Sequence, residues 1–225
     1  MRYPYRTGFV ESKFTLSDLL LNKAEGSMLI KETCLKLIAA QRTDEIVVTT
    51  MGMTAPWGKI SEHSLDFASV GSAMGHAADF ALGIALAKPE KKVVVLNGDG
   101  SMLMCLGTLA TITGLEHPPK NYLLFVCDNG TYEVTGNQPV PRNADFSWTT
   151  IATGTGFEHV YEFDQIEKFE TDLPKIWSQP GPVFVNLRIA EAAEPPPDRW
   201  GGFPYPYLQE SLATSTHKLR KTLED

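Results

Sequence analysis

The chain has 225 residues, enough for one domain with a substantial core and an added arm. With 43% apolar and 21% charged residues it has the composition of an ordinary soluble globular protein, and a net charge of −7 argues against nucleic-acid binding through a basic face. Cys34, Cys105 and Cys127 stand in apolar periodic segments without a CxxC pair, which reads as buried reduced thiols and argues against an iron–sulfur cluster with its full set of thiolate ligands.

The N-terminal MRYPYRTGFV lacks the apolar centre of a secretion signal, and no apolar run approaches the ~18 residues of a membrane span, so a cytoplasmic protein without membrane contact is expected. Residues 1–26, with Tyr3, Tyr5, Phe9 and Phe14, read as an arm lying on a surface. Ser27 is a candidate cap for a helix to about Arg42, whose Leu29, Ile30, Cys34, Leu37 and Ile38 fall at helical spacing. Residues 45–50 (EIVVTT) form a buried strand, followed by a loop over 51–59 at its carboxyl end, where open α/β sheets bind ligands. In that loop Thr54 reads either as a phosphate donor or as a plain turn hydroxyl.

Residues 60–70 are polar and irregular. The next helix carries Gly75, Ala77, Ala78, Ala81, Gly83, Ala85 and Ala87, a small-residue surface that admits close approach of another helix or a cofactor, and Pro89 ends it. A strand over 93–97, a helix over 101–115 and a strand over 121–127 follow, then a Gly-, Pro-, Asn- and Thr-rich loop over 130–144. A short helix begins near Asp145, capped by that residue or by Asn143. A strand over 157–163, a helix over 164–177 and a strand over 181–188 complete the alternation. This pattern predicts an α/β fold, a parallel sheet with helices on both faces, over residues 27–190. Residues 191–225 form a tail, proline- and aromatic-rich at first (EPPPDRWGGFPYPY) and then a polar helix over 209–223. The tail is too apolar to stand free and is expected to cover a subunit surface.

One constellation stands out. Gly98-Asp99-Gly100-Ser101 ends the apolar Val93-Val94-Val95-Leu96 run, and Asp128-Asn129-Gly130-Thr131 ends Tyr122-Leu123-Leu124-Phe125-Val126. Asp99 and Asn129 are 30 residues apart, about one βαβ unit, which brings the carboxyl ends of two neighbouring parallel strands together. A carboxylate and an amide oxygen would then meet beside a glycine-opened helix start. Hard cations take oxygen ligands, and Mg²⁺ completes its shell with phosphate and water. A helix N-terminus favours an anion. The residues therefore describe a Mg²⁺–diphosphate site.

Gly-Asp-Gly followed after such an interval by Asn at a strand end resembles the signature of thiamine diphosphate (ThDP) enzymes. The likeness extends upstream, where Met74-Gly75-His76-Ala77 places an apolar residue 25 positions before Asp99, and downstream to Thr135-Gly136-Asn137-Gln138. It runs from about Ile46 to Ile189 and belongs to the diphosphate-binding (PP) domain. The chain is similar to the separate β-type subunits of sulfopyruvate decarboxylase and the matching half of phosphonopyruvate decarboxylase.

The resemblance implies roles. Asp99, Asn129 and the carbonyl of Thr131 would hold Mg²⁺, while Gly98, Gly100 and Ser101, with their amides, would hold the diphosphate. Ser72 would face the aminopyrimidine through its backbone. Met74 would be the apolar wedge under the bent cofactor, or else ordinary core. His76 points to substrate or caps a helix. Glu133 and Gln138 are candidate substrate contacts. Most members have Asn-Asn where this chain has Asp128-Asn129, a change tolerable if residue 128 is structural. The chemistry implied is decarboxylation of a 2-oxo acid through a thiazolium ylide and an enamine, releasing an aldehyde. The glutamate that activates the cofactor comes, in this family, from a Pyr domain, so a separate α-type subunit and an α₂β₂ assembly are expected. A carboligase or synthase subunit, or a ThDP-binding subunit without turnover, are the alternatives. Trp57 in the 51–59 loop departs from the sulfonate- and phosphonate-specific relatives, and Lys59, His63 and Arg142 are candidate anion contacts.

Overall fold

The computed structural model describes residues 28–192 and 205–224. The first half of the chain forms α1 (Lys31–Gln41), β1 (Ile46–Thr49), α2 (Met51–Gly58), β2 (Asp66–Ala68), α3 (Ala77–Ala87), β3 (Val93–Gly98), α4 (Asp99–Met104) and α5 (Gly107–Thr113). The second half forms β4 (Tyr122–Asp128), β5 (Thr131–Tyr132), β6 (Gln138–Pro139), α6 (Trp148–Gly154), β7 (His159–Phe163), α7 (Ile166–Ser178), β8 (Val183–Arg188) and α8 (Leu212–Glu224).

Continuous apolar runs make the central strands. A strand covered on both faces has no polar side, so β1, β3, β4 and β8 lack the alternation of a half-exposed strand. Their side chains still alternate between two layers. Ile46, Val48, Val95, Leu124 and Phe184 pack with α3, α4, α5, α6 and Leu219 of α8. Val47, Val94, Leu96, Phe125 and Val185 pack with α1, α2 and α7. Helix α7 shows the expected stripe, burying Phe169, Leu173, Ile176 and Trp177. The result is a parallel six-stranded sheet with helices on both faces, as the alternation predicts.

The strand order is β2-β1-β3-β4-β8-β7. From β1 the chain moves outward to β2, then crosses back to place β3 on the other side of β1. The connections leaving β1 and β3 therefore diverge and leave a crevice at their carboxyl ends, the place where such sheets bind ligands. Strands β3 and β4 pair directly, Gly98 opposite Cys127, so Asp99 and Asn129 emerge from neighbouring strand ends.

Several local expectations give way to packing. Residues 51–59 are mostly helical rather than a loop: Gly52, Pro56 and Gly58 disfavour a helix, but burial of Met53 and Trp57 against the sheet overrides that propensity. The irregular 60–70 stretch contains the edge strand β2. The helix expected over 101–115 breaks at Cys105 into α4 and α5. Helix α1 starts at Lys31, because Leu29 instead makes a strand-like bridge to Ile189. Helix α6 is capped by neither Asn143 nor Asp145 but by Ser147, whose Oγ accepts from the Thr150 amide at 3.2 Å. The 130–144 loop holds the small β5–β6 ribbon.

The expected arm over 1–26 and the proline-rich part of the tail lie outside the described residues. The rest of the tail folds onto its own chain. Leu208 is buried, the Tyr207 hydroxyl donates to the Thr54 carbonyl, and the Tyr205 ring lies where a Cβ on Gly58 would sit, at 2.6 Å.

Candidate functional site

A cavity of about 330 Å³ opens in the β1/β3 crevice. Four segments converge on it: residues 50–53 from the end of β1, the 69–75 connection into α3, residues 98–101 from the end of β3, and residues 129–135 after β4. Among the sequence-derived candidates, Ser72, Met74, Gly98, Asp99, Gly100, Ser101, Asn129, Thr131 and Glu133 all line it. His76, Gln138 and Thr54 do not.

Asp99 is 1% exposed, and its Oδ2 accepts the Gly130 amide at 3.0 Å. Burial, and then the neighbouring Asp128 carboxylate, push its carboxyl from the ordinary 3.8 up to about 7, against the pull of the Gly100 and Gly130 amides. Two acids at one strand edge need a counter-charge. Arg142 supplies part of it, 2.7 Å from Asp128 Oδ1 and 4.0 Å from Asp99 Oδ2. This pairing is why an acid can stand at position 128.

Asn129 points its Oδ1 at the Thr131 amide, 3.0 Å away, and donates from Nδ2 to Glu133 Oε2 at 3.1 Å. The ribbon bonds run from Val140 N–H to Gly130 O and from Asn137 N–H to Tyr132 O. They flank Thr131, and Pro139, which pairs with it, has no N–H to offer its carbonyl. A carboxylate, an amide oxygen and a backbone carbonyl thus gather at one place, a donor set of the kind a hard cation takes.

The other half of the cavity is built for close approach. A Cβ on Gly98 would meet nothing within 4 Å, whereas one on Gly100 would strike the Tyr132 ring at 2.6 Å. Ser101 Oγ lies 3.0 Å from Thr50 Oγ1, joining the ends of β3 and β1 across the crevice. Thr54, by contrast, is fully buried; its hydroxyl donates to Thr50 O at 2.9 Å and lies 3.0 Å from Thr49 Oγ1. The helix that replaces the expected loop turns Thr54 inward, and the cavity-facing threonine of this segment is Thr50.

At the rim, Met74 is 58% exposed and Met104 47%. Gly75 has φ +88°, and a Cβ there would meet Cys105 Sγ at 2.8 Å, so the 72–75 connection is pressed onto the α4–α5 break. His76 makes no capping bond to α3; its Nδ1 lies 2.5 Å from Asp79 Oδ2. Asp79 in turn accepts from Thr108 Oγ1. Cys105 is partly exposed beside the His76 ring rather than buried, at 3.5 and 3.8 Å from its two nitrogens. That sulfur is too near both to lie on either lone pair. Cys34 and Cys127 are buried, and burial pushes the Cys127 thiol up to about 12. Gln138 is exposed, its Oε1 accepting from Thr135 Oγ1 at 3.2 Å.

Each candidate anion contact already has a partner. Lys59 pairs with Glu32 at 3.5 Å, His63 accepts the Leu65 amide at 3.1 Å, and Arg142 is held by Asp128. Trp57 is buried and donates to Asp66, so it does not shape the cavity. Three contributors were missed in the sequence: Thr50, Tyr132 and Lys31, whose ammonium reaches Glu133 from α1. Only Thr50 carried a local signal, as the last residue of its strand; the others depend on contacts between distant segments.

The donor set and the amide-rich start of α4 fit Mg²⁺ and a diphosphate. Comparison with known proteins points to a thiamine pyrophosphate-binding domain. The family model for the thiamine pyrophosphate enzyme, C-terminal TPP binding domain, matches residues 48–187. The chain is 36% identical over 138 residues to sulfopyruvate decarboxylase subunit beta of Methanocaldococcus jannaschii, covering 61% of this chain and 71% of that one. It is 35% identical over 155 residues to phosphonopyruvate decarboxylase of Streptomyces viridochromogenes, covering 68% of this chain and 38% of that longer one. The ThDP-dependent 4-hydroxybenzoylformate decarboxylase of Rhodococcus jostii RHA1 shares the fold, with a TM-score of 0.63 at 19% identity over 76% of this chain and 34% of that one. A buried acid and an amide at adjacent strand ends, in a domain matched over most of its length, make this chain a member of the thiamine pyrophosphate enzymes through their TPP-binding domain.

Proposed function

We propose that the chain is the diphosphate-binding subunit of a two-subunit, ThDP- and Mg²⁺-dependent 2-oxo acid decarboxylase of the sulfopyruvate/phosphonopyruvate type, forming CO₂ and an aldehyde. The observation that carries this is the convergence of four separate segments on one cavity at the β1/β3 crevice, with a buried carboxylate, an amide oxygen, a backbone carbonyl and glycine-opened amides in its wall.

In this reading Asp99, Asn129 and the Thr131 carbonyl hold Mg²⁺. The amides and small residues of 98–101, with the hydroxyls of Ser101 and Thr50, take the diphosphate. The Ser72 backbone faces the aminopyrimidine, and Met74 supports the bent cofactor. When bound, ThDP supplies the acidic carbon that adds to a ketone and the electron sink that makes loss of CO₂ feasible. The protein's part is to bind, orient and exclude water. A partner subunit with a Pyr domain supplies the activating glutamate, in an α₂β₂ arrangement. The exposed Met74 and Met104 at the cavity rim are apolar surface of the kind a partner covers. His76, its ring held by Asp79, stands at this rim, on the side we assign to substrate.

The test is to isolate the chain with the subunit that copurifies with it and to follow CO₂ and aldehyde from sulfopyruvate, phosphonopyruvate and pyruvate. Both products should form only when both subunits, ThDP and Mg²⁺ are present. Release of CO₂ with a condensed product in place of the aldehyde would move the assignment to a carboligase. Tight ThDP binding by the assembly with no turnover of any 2-oxo acid would reduce it to a cofactor-binding subunit.

A further inference from the structure

Glu133 lines the cavity, yet both its oxygens are engaged. Lys31 Nζ lies 2.7 Å from Oε1 and 2.6 Å from Oε2, and Asn129 Nδ2 donates to Oε2 at 3.1 Å. The two charged side chains are only 4% and 5% exposed. A buried ion pair contributes little beyond what an apolar pair of the same volume would, because desolvation consumes most of the Coulombic attraction. Stability alone therefore gives no reason for a lysine from α1 to meet a glutamate 102 positions away beneath the cavity.

The chemistry of Asn129 does give one. An asparagine amide presents either its oxygen or its nitrogen after a half-turn about its last torsion, with almost no change of shape. A carboxylate only accepts, so Glu133 admits Nδ2 and refuses Oδ1. With Nδ2 committed to Glu133, Oδ1 is turned to the other side, where the Thr131 amide meets it at 3.0 Å and where the metal ligands gather. A flipped amide would offer a cation a nitrogen with no available lone pair. Lys31 holds the carboxylate by both oxygens and supplies its counter-charge.

We infer that the Lys31–Glu133 pair is a positioning device that fixes the Asn129 amide with its oxygen toward the metal, and that Glu133 acts through Asn129 rather than by touching substrate. This deepens the Mg²⁺-site reading above and rests on it.

The experiment titrates Mg²⁺ into the assembled protein in the presence of ThDP, by calorimetry, alongside a thermal midpoint. In Glu133→Gln the new amide gives its oxygen to Lys31 and its nitrogen to Asn129. Asn129 can meet that nitrogen only by turning its own oxygen away from the metal and giving up the Thr131 amide. The Mg²⁺ concentration for half-saturation should rise about tenfold, as for other lost outer contacts of a metal ligand, with ThDP affinity at saturating Mg²⁺ little changed, while the thermal midpoint falls because Lys31 is left buried without its counter-charge. Asn129→Asp sets a carboxylate against Glu133 and should also weaken Mg²⁺. Combined with Glu133→Gln the same aspartate has one oxygen for the glutamine and one for the metal, so Mg²⁺ affinity should recover. This reversal of sign is something a packing role would not produce.

Asp99→Ala is the control. If it leaves the Mg²⁺ dependence intact, the metal site itself is misplaced. If it abolishes the dependence while Glu133→Gln stays within twofold of the parent, the positioning role is overturned and the metal site stands. Should Glu133→Gln not fold, Asn129→Asp alone decides: weaker Mg²⁺ binding supports the inference, and equal or tighter binding, the ordinary effect of adding a carboxylate ligand, overturns it.

Discussion

The two sides of the cavity are built on opposite principles. On the β3/β4 side, Asp99 is buried, Asn129 and Glu133 are locked in a network, and Gly100 lies under the Tyr132 ring, which admits nothing larger there. On the rim side, Met74 and Met104 are large apolar side chains left about half in solvent. Under the function proposed, the difference teaches that this chain would preorganise the charged end of a ligand by itself and leave the apolar end to be finished by a partner. Preorganised polar groups are fixed before the ligand arrives and lose little on binding. An exposed methionine is adaptable and takes its final shape against whatever covers it.

The sharpest way to break this comparison is to remove the centre of the finished side. Asp99→Ala should lower Mg²⁺-dependent ThDP affinity in the assembled protein by roughly two orders of magnitude or more, since a first-contact carboxylate matters more than the outer contacts that alone are worth 10–100-fold. Unchanged affinity in a calorimetric titration would put the metal elsewhere. The next largest effect belongs to the unfinished side. Met74→Ala should leave the chain's thermal stability within about 0.5 kcal/mol, as for exposed positions generally. Turnover of the assembled enzyme should nevertheless fall by about tenfold, as expected when a positioning contact is lost and ThDP binding persists. A parallel loss of ThDP affinity would show that Met74 serves binding instead.

The finished side was also the more legible one in the sequence. Asp99 and Asn129 are announced by strand-end motifs, and a parallel sheet with a β3–β4 neighbour pair follows from the alternation of elements. The small residues of 98–101 announce a close approach without saying what approaches; that it is Tyr132 needed the fold. Thr54 misled because Gly52, Pro56 and Gly58 look like loop, and only burial of Trp57 makes the segment helical and turns that hydroxyl inward. Lys31 was invisible for a different reason. A lysine in the first turn of a helix is ordinarily solvent-facing, and nothing local says that α1 lays it against a residue 102 positions on. Local propensity and period are written along the chain, whereas a buried ion pair between distant segments is a property of the packing.

Arg142 sharpens the comparison from the charge side. It neutralises Asp128, which is 10% exposed, and stands 4.0 Å from Asp99. Removing one partner of a largely buried pair is costly, but Arg142 itself is 29% exposed, so Arg142→Ala should destabilise the protein by only about 1–2 kcal/mol in chemical denaturation. Arg142→Ala with Asp128→Asn should recover most of that loss, because the uncompensated charge goes too. No recovery would mean that Arg142 acts through its packing on Phe146, whose ring centroid is 5.8 Å away.

The smallest effects separate two threonines four positions apart. Thr50 Oγ1 faces the cavity at 3.0 Å from Ser101 Oγ, whereas Thr54 Oγ1 is spent on Thr50 O and Thr49. Thr54→Val should therefore cost about 1 kcal/mol of stability, the net worth of a buried hydroxyl's hydrogen bonding, and leave ThDP affinity unchanged. Thr50→Val should do the reverse, weakening ThDP about threefold to tenfold through one lost donor with little change in the thermal midpoint. If both variants lose affinity equally, α2 must rearrange when the cofactor binds, and the charged end of the site is less preorganised than its geometry indicates.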